Sequence, residues 1–460
     1  MGKLRYGIVS SVRQSHNPLD NMYNILADRA VHTKSGRQLA LYEKVTLDGS
    51  SIEPCGERCD SASYGMAISA LADSSGILDN CKAINIDKRY EGIANRMMPE
   101  LQKAAILLAR GFMAGAPIVV RFHNDGDGSA GGIALYRALE ALGMKMFEGE
   151  QRSVSWRMNK GIAYTIESFY EDRMLFESYE SAERPIVVIT DFGTSPESEG
   201  AIKASNGVCD IIWLDHHVPY EGFDRGLVRS YINVCDFGGD SNFTAGLLTS
   251  IFAVIIGNVD VSDLREAALV SDYSSYANFS DQNAVKNAMI LDYLTSSSSE
   301  MYSKPKNMDI VIKDSVKSED VFRHASRQLD EALTEGLRNV RSYKNSGGVN
   351  VYVLDFGHVA KLSLDYPLPG RYSSKLQDKL ESANHGKTIT MVHYGSYISL
   401  RLSQDLHGSV NILDIIEKLR GATNGMVSGG GHKQAASIRT DRNQIEETIR
   451  LVLLELGVVQ

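Results

Sequence analysis

His123, Asp125 and Asp127 fall on alternate positions of RFHNDGDGSAGG (121–132), directly after the apolar run PIVV (117–120). Acids crowded this closely beside an imidazole are either diluted by solvent in a loop or neutralised by something positive. The same chemistry recurs twice downstream. PIVVIT (185–190) runs into Asp191, and DIIWL (210–214) runs into Asp215, His216 and His217. Ligands of open α/β sheets bind beyond the carboxyl ends of the strands. The steps from Asp127 to Asp191 and from Asp191 to Asp215, 64 and 24 residues, should therefore end at one sheet edge. Carboxylates mixed with imidazoles suit Mn²⁺ or a related divalent ion. There are ligands enough for two ions with one carboxylate bridging. Two ions about 3.5–4 Å apart can activate a water and clamp both oxygens of a phosphoryl displacement. The glycines would let the chain turn sharply and approach a phosphate without a Cβ. Two rival motifs fail. A calcium loop begun at Asp125 needs glycine at its sixth place and glutamate at its twelfth, where Ala130 and Tyr136 stand. A Walker A loop needs a closing Gly-Lys-Ser/Thr, which is absent.

Elements that could position these groups are legible from about 117 to 280, where strands and helices alternate. This rhythm predicts an α/β fold with a doubly wound parallel sheet. Ser129 is placed to cap a helix through GGIALYRALEALG, with Ile133, Tyr136, Leu139 and Leu142 on one face and Gly143 as the stop. Pro196 behind Ser195 should open another helix, ended by Gly207. A helical pattern over 91–115 precedes this region, so 91–300 reads as the domain carrying the chemistry. Residues 1–90 form an N-terminal region of unknown role, with hints of strands in 39–54. Residues 301–345 read as a connecting helix. Residues 346–460 read as a smaller α/β domain, with a strand at 349–357, a hairpin in KTITMVHYGSYISLRLS, a helix in VNILDIIEKLRG, a glycine loop and a last helix.

A chain of 460 residues exceeds what one core usually serves. Its 43% hydrophobic and 23% charged residues are ordinary globular values. No apolar run is long enough to span a bilayer and no signal-peptide core opens the chain, so a cytoplasmic protein without membrane contact is expected. Five cysteines, an odd number, read as reduced thiols. Cys55 and Cys59 have ligand-like spacing, but no second pair follows, and they read as free thiols in a loop. The net charge of −9 gives no global attraction for a polyanion. Any nucleic-acid binding must then be local or metal-assisted.

H-x-D-x-D-G, a strand-end aspartate and the triplet Asp215-His216-His217 resemble the DHH phosphoesterase family. AALVSDYSSY (267–276) is similar to that family's fourth motif, with Asp272 as its aspartate. GGGHKQAAS (429–437) resembles the signature of the DHH-associated C-terminal domain. The likeness covers about 115–460. The motif spacing, with ITDFGTS and YINVCDFGGD, is similar to archaeal RecJ-like single-strand exonucleases, including the GINS-associated nuclease. Two departures are Gly126, where the family commonly has alanine, and NVCDFGGDSNFTAG (233–246), a loose match to the family's Asn-Pro stretch. The resemblance implies that His123 and Asp125 hold a first metal, that Asp127, His216 and Asp272 hold a second, and that Asp191 bridges both. It implies two Mn²⁺ ions, with Mg²⁺ or Co²⁺ as substitutes. His217 would face the scissile phosphate, and Asp215 would orient a ligand histidine from behind. In the second domain, Arg401, Gly429, Gly430, Gly431 and His432 would hold the strand or its terminal phosphate, with the catalytic cleft lying between the domains.

The function so implied is a manganese-dependent exonuclease in DNA repair or replication that releases mononucleotides from single-stranded DNA or RNA, in association with a replication complex such as GINS. Two alternatives share the motifs. One is a phosphodiesterase of oligoribonucleotides, cyclic dinucleotides or nucleotide phosphates, which chain-length dependence of turnover would distinguish. The other is a replication-complex scaffold, against which the intact set of acids and histidines speaks.

Overall fold

Parallel strands bury both faces and read as continuous apolar runs. The runs before His123, Asp191 and Asp215 do pair in this way. The computed structural model describes residues 5–458 except 16, 18–20, 36, 49–50, 150–153, 221, 298, 385 and 432. It divides into two units, Met1–Leu291 with Glu300–Ile312, and Asp292–Ser299 with Lys313–Gln460.

At the heart of the first unit is a five-stranded sheet ordered Ser230–Asn233, Asp210–Asp215, Ile186–Thr190, Ile118–His123, Ser155–Asn159. All four pairings are parallel. Val119, Val187, Ile189, Ile211 and Trp213 on one face pack with Phe169 and Phe176 of helix Ile166–Phe176 and with Ala201 and Ile202 of helix Glu199–Ser205. Helices Gly126–Met146 and Ala245–Gly257 pack on the sheet as well. A second sheet in this unit has seven strands. The five N-terminal strands between Arg5 and Arg58 are joined by Phe147–Gly149, parallel to Ala30–Lys34, and by Tyr179–Ser181, antiparallel to Arg5–Arg13. Its small core comprises Val9, Val12, Tyr23, Ile25, Leu39, Val45 and Leu47. The N-terminal strands therefore share one sheet with Phe147–Gly149 and Tyr179–Ser181 of the later sequence.

Two helices differ in their bounds from the sequence expectation. The helix after His123 begins at Gly126 rather than behind Ser129, because the Asp125 carboxylate accepts the Gly128 amide at 2.9 Å and acts as the cap. It runs through Gly143 to Met146, since the backbone turns only at Phe147, where a strand begins. Beyond Ser195, Pro196–Ser198 is a 3₁₀ turn that leads into helix Glu199–Ser205.

The second unit carries a six-stranded sheet ordered Arg341–Lys344, Asn350–Asp355, Thr388–Tyr394, Tyr397–Leu402, Ala435–Arg439, Ser428–Gly431. The segment 301–345 is not one helix. It contains helices Pro305–Lys313 and Ser315–Asn339, then the first strand of this sheet. The glycine triplet is not a loop either. Gly429, Gly430 and Gly431 pair with Ile438, Ser437 and Ala436 as the edge strand. Cys55 lies in strand Ser51–Arg58 rather than a loop, and both it and Cys59 are free thiols. Among the described residues no helix is long and apolar enough to cross a membrane.

Candidate metal centre

Each acidic side chain reaches the sheet edge by a local device. His123 ends its strand, and its Nδ1 lies 3.0 Å from Asp125 Oδ2 and 3.7 Å from Asp191 Oδ2. Asp127 sits in the first turn of the following helix and is 1% exposed. Its oxygens accept the Ala245 amide at 2.9 Å and the Gly246 amide at 3.1 Å, at the N-terminus of helix Ala245–Gly257. Thr244 caps that same helix. A helix N-terminus carries partial positive charge, so this position suits a carboxylate. Asp191, directly after strand Ile186–Thr190, is buried and has a left-handed backbone with φ +69°. Such strain in a non-glycine residue persists where surrounding structure imposes it, commonly at functional sites. Asp272 is delivered by the C-terminal end of helix Ser262–Ser271. That end carries partial negative charge, so a carboxylate there adds repulsion that a cation would relieve.

The two adjacent histidines are held differently. His216 is buried, with Nε2 at 3.4 Å from Asp191 Oδ1 and 3.7 Å from Asp272 Oδ2. Its Nδ1 lies 3.2 Å from the Ser241 carbonyl. The side chain of His217 is 35% exposed, and its Nδ1 lies 2.8 Å from Asp215 Oδ1. Asp215 also accepts the backbone amides of His216 at 2.8 Å and His217 at 3.2 Å. The imidazole that Asp215 orients is thus His217, while a main-chain carbonyl orients His216. Asn233 braces this turn by donating to the His217 carbonyl at 2.8 Å.

Donor atoms within 4.8 Å of one another form three groups: His123, Asp125 and Asp191; Asp127, His216 and Asp272; and Asp191, Asp215, His216 and His217. Burial and charge make this cluster hungry for positive charge. Burial raises the Asp127 carboxyl, and Asp191 and Asp272 raise it further, well above the carboxylate range. Asp191 is raised by burial and by Asp125, in spite of His123 and His216. Burial alone would lower His123, but Asp125 and Asp191 hold it well above its ordinary value. Burial likewise opposes Asp191, Asp272 and Asp127 at His216, which also ends well above its ordinary value. Both kinds of shift favour the proton-bound form, for the aspartates through burial and then neighbouring carboxylates, and for the histidines through those carboxylates against burial. Asp191 Oδ2 and Asp215 Oδ2 are buried oxygens without a hydrogen-bond partner. Unsatisfied carboxylate oxygens beside imidazoles fit a divalent cation.

In the second unit, Arg401 stands opposite Ala435 and Gly431 opposite Ala436, so the strands bring their positions near one another. The Arg401 fork already donates to Ser374 Oγ and to the Leu400 carbonyl, each at 2.9 Å, and to the Gly370 carbonyl at 3.3 Å. His432 lies outside the described residues. Sequence reasoning missed Ser241, Asn233 and the Ala245–Gly246 amides, all within the loosely matching stretch 233–246. Thr244 ahead of the apolar run AGLLTSIFAVII is an N-cap signature that could have flagged the amides.

No family model matches the chain. An uncharacterized protein of Methanocaldococcus jannaschii is 24% identical over 403 residues, covering 75% of this chain and 52% of its own length. The chain therefore spans about half the length of that curated relative. Among solved structures, the DHH domain of a member of the S1p family of ribosomal proteins matches with a TM-score of 0.72 at 20% identity, over 85% of this chain and 98% of that one. RecJ from Thermus thermophilus in complex with Mn²⁺ matches with a TM-score of 0.50 at 16% identity, over 77% of this chain and 54% of that one. The chain has the fold of DHH-domain proteins, with a parallel sheet and additional sheets as in RecJ.

Proposed function

We propose that this DHH-fold chain is a divalent-metal-dependent phosphoesterase that hydrolyses single-stranded nucleic acid from an end, releasing mononucleotides. One observation carries the reading: Asp191 belongs both to the group with His123 and Asp125 and to the histidine group that reaches Asp127 and Asp272 through His216. In this reading His123 and Asp125 hold one Mn²⁺, Asp127, His216 and Asp272 hold a second, and Asp191 serves both. Ions bound there lower the pKa of a water and neutralise charge on a phosphoryl group. The chain supplies the rest. Asp215 fixes the ring of His217 through Nδ1 and favours its imidazolium. His217 is the more exposed of the two adjacent histidines and can hold a proton at Nε2 for a leaving oxygen. Arg401 and the edge-strand backbone of Gly429–Gly431 are the phosphate-holding groups of the second unit, with His432 beside them in sequence. With a net charge of −9, holding a strand depends on such aimed donors rather than on the global field.

The test uses 5′- and 3′-labelled DNA and RNA strands of several lengths, incubated with Mn²⁺ and resolved on a gel. Mononucleotides released progressively from one end, with chelator abolishing release, are expected. Turnover confined to dinucleotides or nucleotide phosphates, or no cleavage at all, would sink the reading.

A further inference from the structure

Two aromatic rings stand exposed beside this cluster. Tyr273 immediately follows Asp272 and is 37% exposed, and Phe279 is 49% exposed. Their ring centroids are 6.2 Å apart and their planes are tilted by 40°. Water contact on two large rings forgoes burial that stabilises other aromatics of this chain. Tyr273 is also held in a left-handed backbone, with φ +53°, a conformation uncommon for a bulky residue.

The loop that carries these rings is anchored. Ser274 Oγ donates to the Asn242 carbonyl at 2.6 Å, and the Ser275 amide donates to Asn242 Oδ1 at 2.7 Å. The ring of Tyr276 packs against Tyr90 at 5.8 Å, and the Arg89 guanidinium donates to the Tyr276 carbonyl. Ser241, the residue before Asn242, supplies the carbonyl beside His216. One short turn thus steadies both His216 and the aromatic loop, so the rings keep a set position relative to Asp272.

We infer that Tyr273 and Phe279 form a stacking platform for a nucleobase of the strand whose phosphate lies at the metal centre. The inference rests on the proposed nuclease activity and adds a specificity determinant to it. A strand end is accepted partly through the base beside the scissile phosphate, with little sequence preference, because every base has a π-face. Two rings make too small a patch for a protein interface, and an inorganic phosphate chain would have nothing to stack.

The test compares strands with ordinary terminal nucleotides and strands made abasic at the terminal positions of both ends, measuring KM and kcat in Mn²⁺. Tyr273→Ala and Phe279→Ala should each raise KM for the ordinary strand by about 5- to 150-fold, which is about 1–3 kcal/mol per stacked base at 1.36 kcal/mol per tenfold. On the abasic strand, wild type and variants should share one KM. Tyr273→Phe keeps the ring and should retain the wild-type KM. Thermal melting of Tyr273→Ala should show the wild-type response to Mn²⁺, separating lost stacking from a displaced Asp272. A Tyr273→Ala KM within twofold of wild type on the ordinary strand, or an equal loss on both strands, overturns the platform alone. A wild type that hydrolyses no strand removes the nuclease reading and the platform with it.

Discussion

Gly246→Ala is a small change with a sharply placed effect. Gly246 stands in the first turn of helix Ala245–Gly257, where its amide donates to Asp127 Oδ1 at 3.1 Å. A Cβ built there would lie 2.7 Å from each of three atoms: Asp127 O, Asp127 Oδ1 and Ala268 Cβ. Reaching an ordinary contact of 3.4 Å requires a movement of about 0.7 Å. None of these neighbours is the free end of a long side chain. Asp127 is buried in its own helix turn, and Ala268 lies in the helix that ends at Asp272. The strain therefore falls on the Asp127, His216 and Asp272 group and leaves the His123, Asp125 and Asp191 group less disturbed. Overpacking of this kind costs about 1–3 kcal/mol, and a misplacement approaching 1 Å can cost about 10²-fold in rate. Three measurements follow: denaturant unfolding, calorimetric titration with Mn²⁺, and strand hydrolysis. The expected result is a lower unfolding midpoint, one weakened Mn²⁺ equivalent out of two, and hydrolysis down about 10²-fold. Gly200→Ala is the control, because its Cβ would meet nothing within 4 Å and it sits in a helix; it should be neutral or stabilise by about 0.5–1 kcal/mol. A Gly246→Ala protein with wild-type unfolding and two wild-type Mn²⁺ equivalents would refute the packing argument.

Asp191→Ala should eliminate strand hydrolysis and the thermal stabilisation by Mn²⁺ together, and activity within tenfold of wild type would dismiss the shared-ligand role. Without metal, Asp127, Asp191, His123 and His216 all have raised folded-state pKa values, so the stability they contribute is present at low pH and is lost as pH rises through those values. Asp215 has the opposite sign, but its window lies below the usual carboxylate range. Chelated protein should therefore melt progressively lower as pH rises above the ordinary carboxylate range and on past the ordinary imidazole value, and the gain in Tm on adding Mn²⁺ should grow with it, because metal and protons compete for the same atoms; a gain independent of pH would contradict this. Arg137 joins three helices through the half-exposed Asp263 at 2.7 Å and the buried Asp309 at 2.7 Å, and Arg137→Met should destabilise by about 3–5 kcal/mol because the buried Asp309 carboxylate loses its guanidinium, as denaturant unfolding would show. Arg401→Ala should weaken strand binding measured in Ca²⁺ while leaving the Mn²⁺ response intact, with a shallow salt dependence; wild-type affinity with a steep slope would remove Arg401 from the phosphate-holding set.

Local chemistry made much of this chain legible. Continuous β-branched runs ending in acid announced the strands before His123, Asp191 and Asp215, because a strand buried on both faces must be apolar along its whole length. Placing the acids at one edge followed from the connection rule of parallel sheets, and the proposal of a divalent-metal site there followed from carboxylates mixed with imidazoles. Boundaries were less legible where two caps competed. Asp125 and Ser129 are both good N-caps, and only the backbone geometry at Asp125, with its hydrogen bond to Gly128, decided between them.

What tertiary structure alone decided are pairings between distant residues. The two histidines after Asp215 are indistinguishable in sequence. Which one Asp215 orients, and which one is buried against Asp191 and Asp272, depends on where the 241–242 turn comes to lie. The hold of the Ala245 and Gly246 amides on Asp127 spans more than a hundred residues, and no local propensity encodes it. The three glycines after Ser428 have turn-like composition, yet they are a strand because Ala436–Ile438 offers them a hydrogen-bonding edge. The N-terminal strands likewise belong to a sheet completed by Phe147–Gly149 and Tyr179–Ser181. Residue types and their spacing point to the chemistry proposed for the chain. Which atoms face one another is settled by non-local hydrogen bonding and by packing, because a backbone group takes its partner from whatever the fold places beside it.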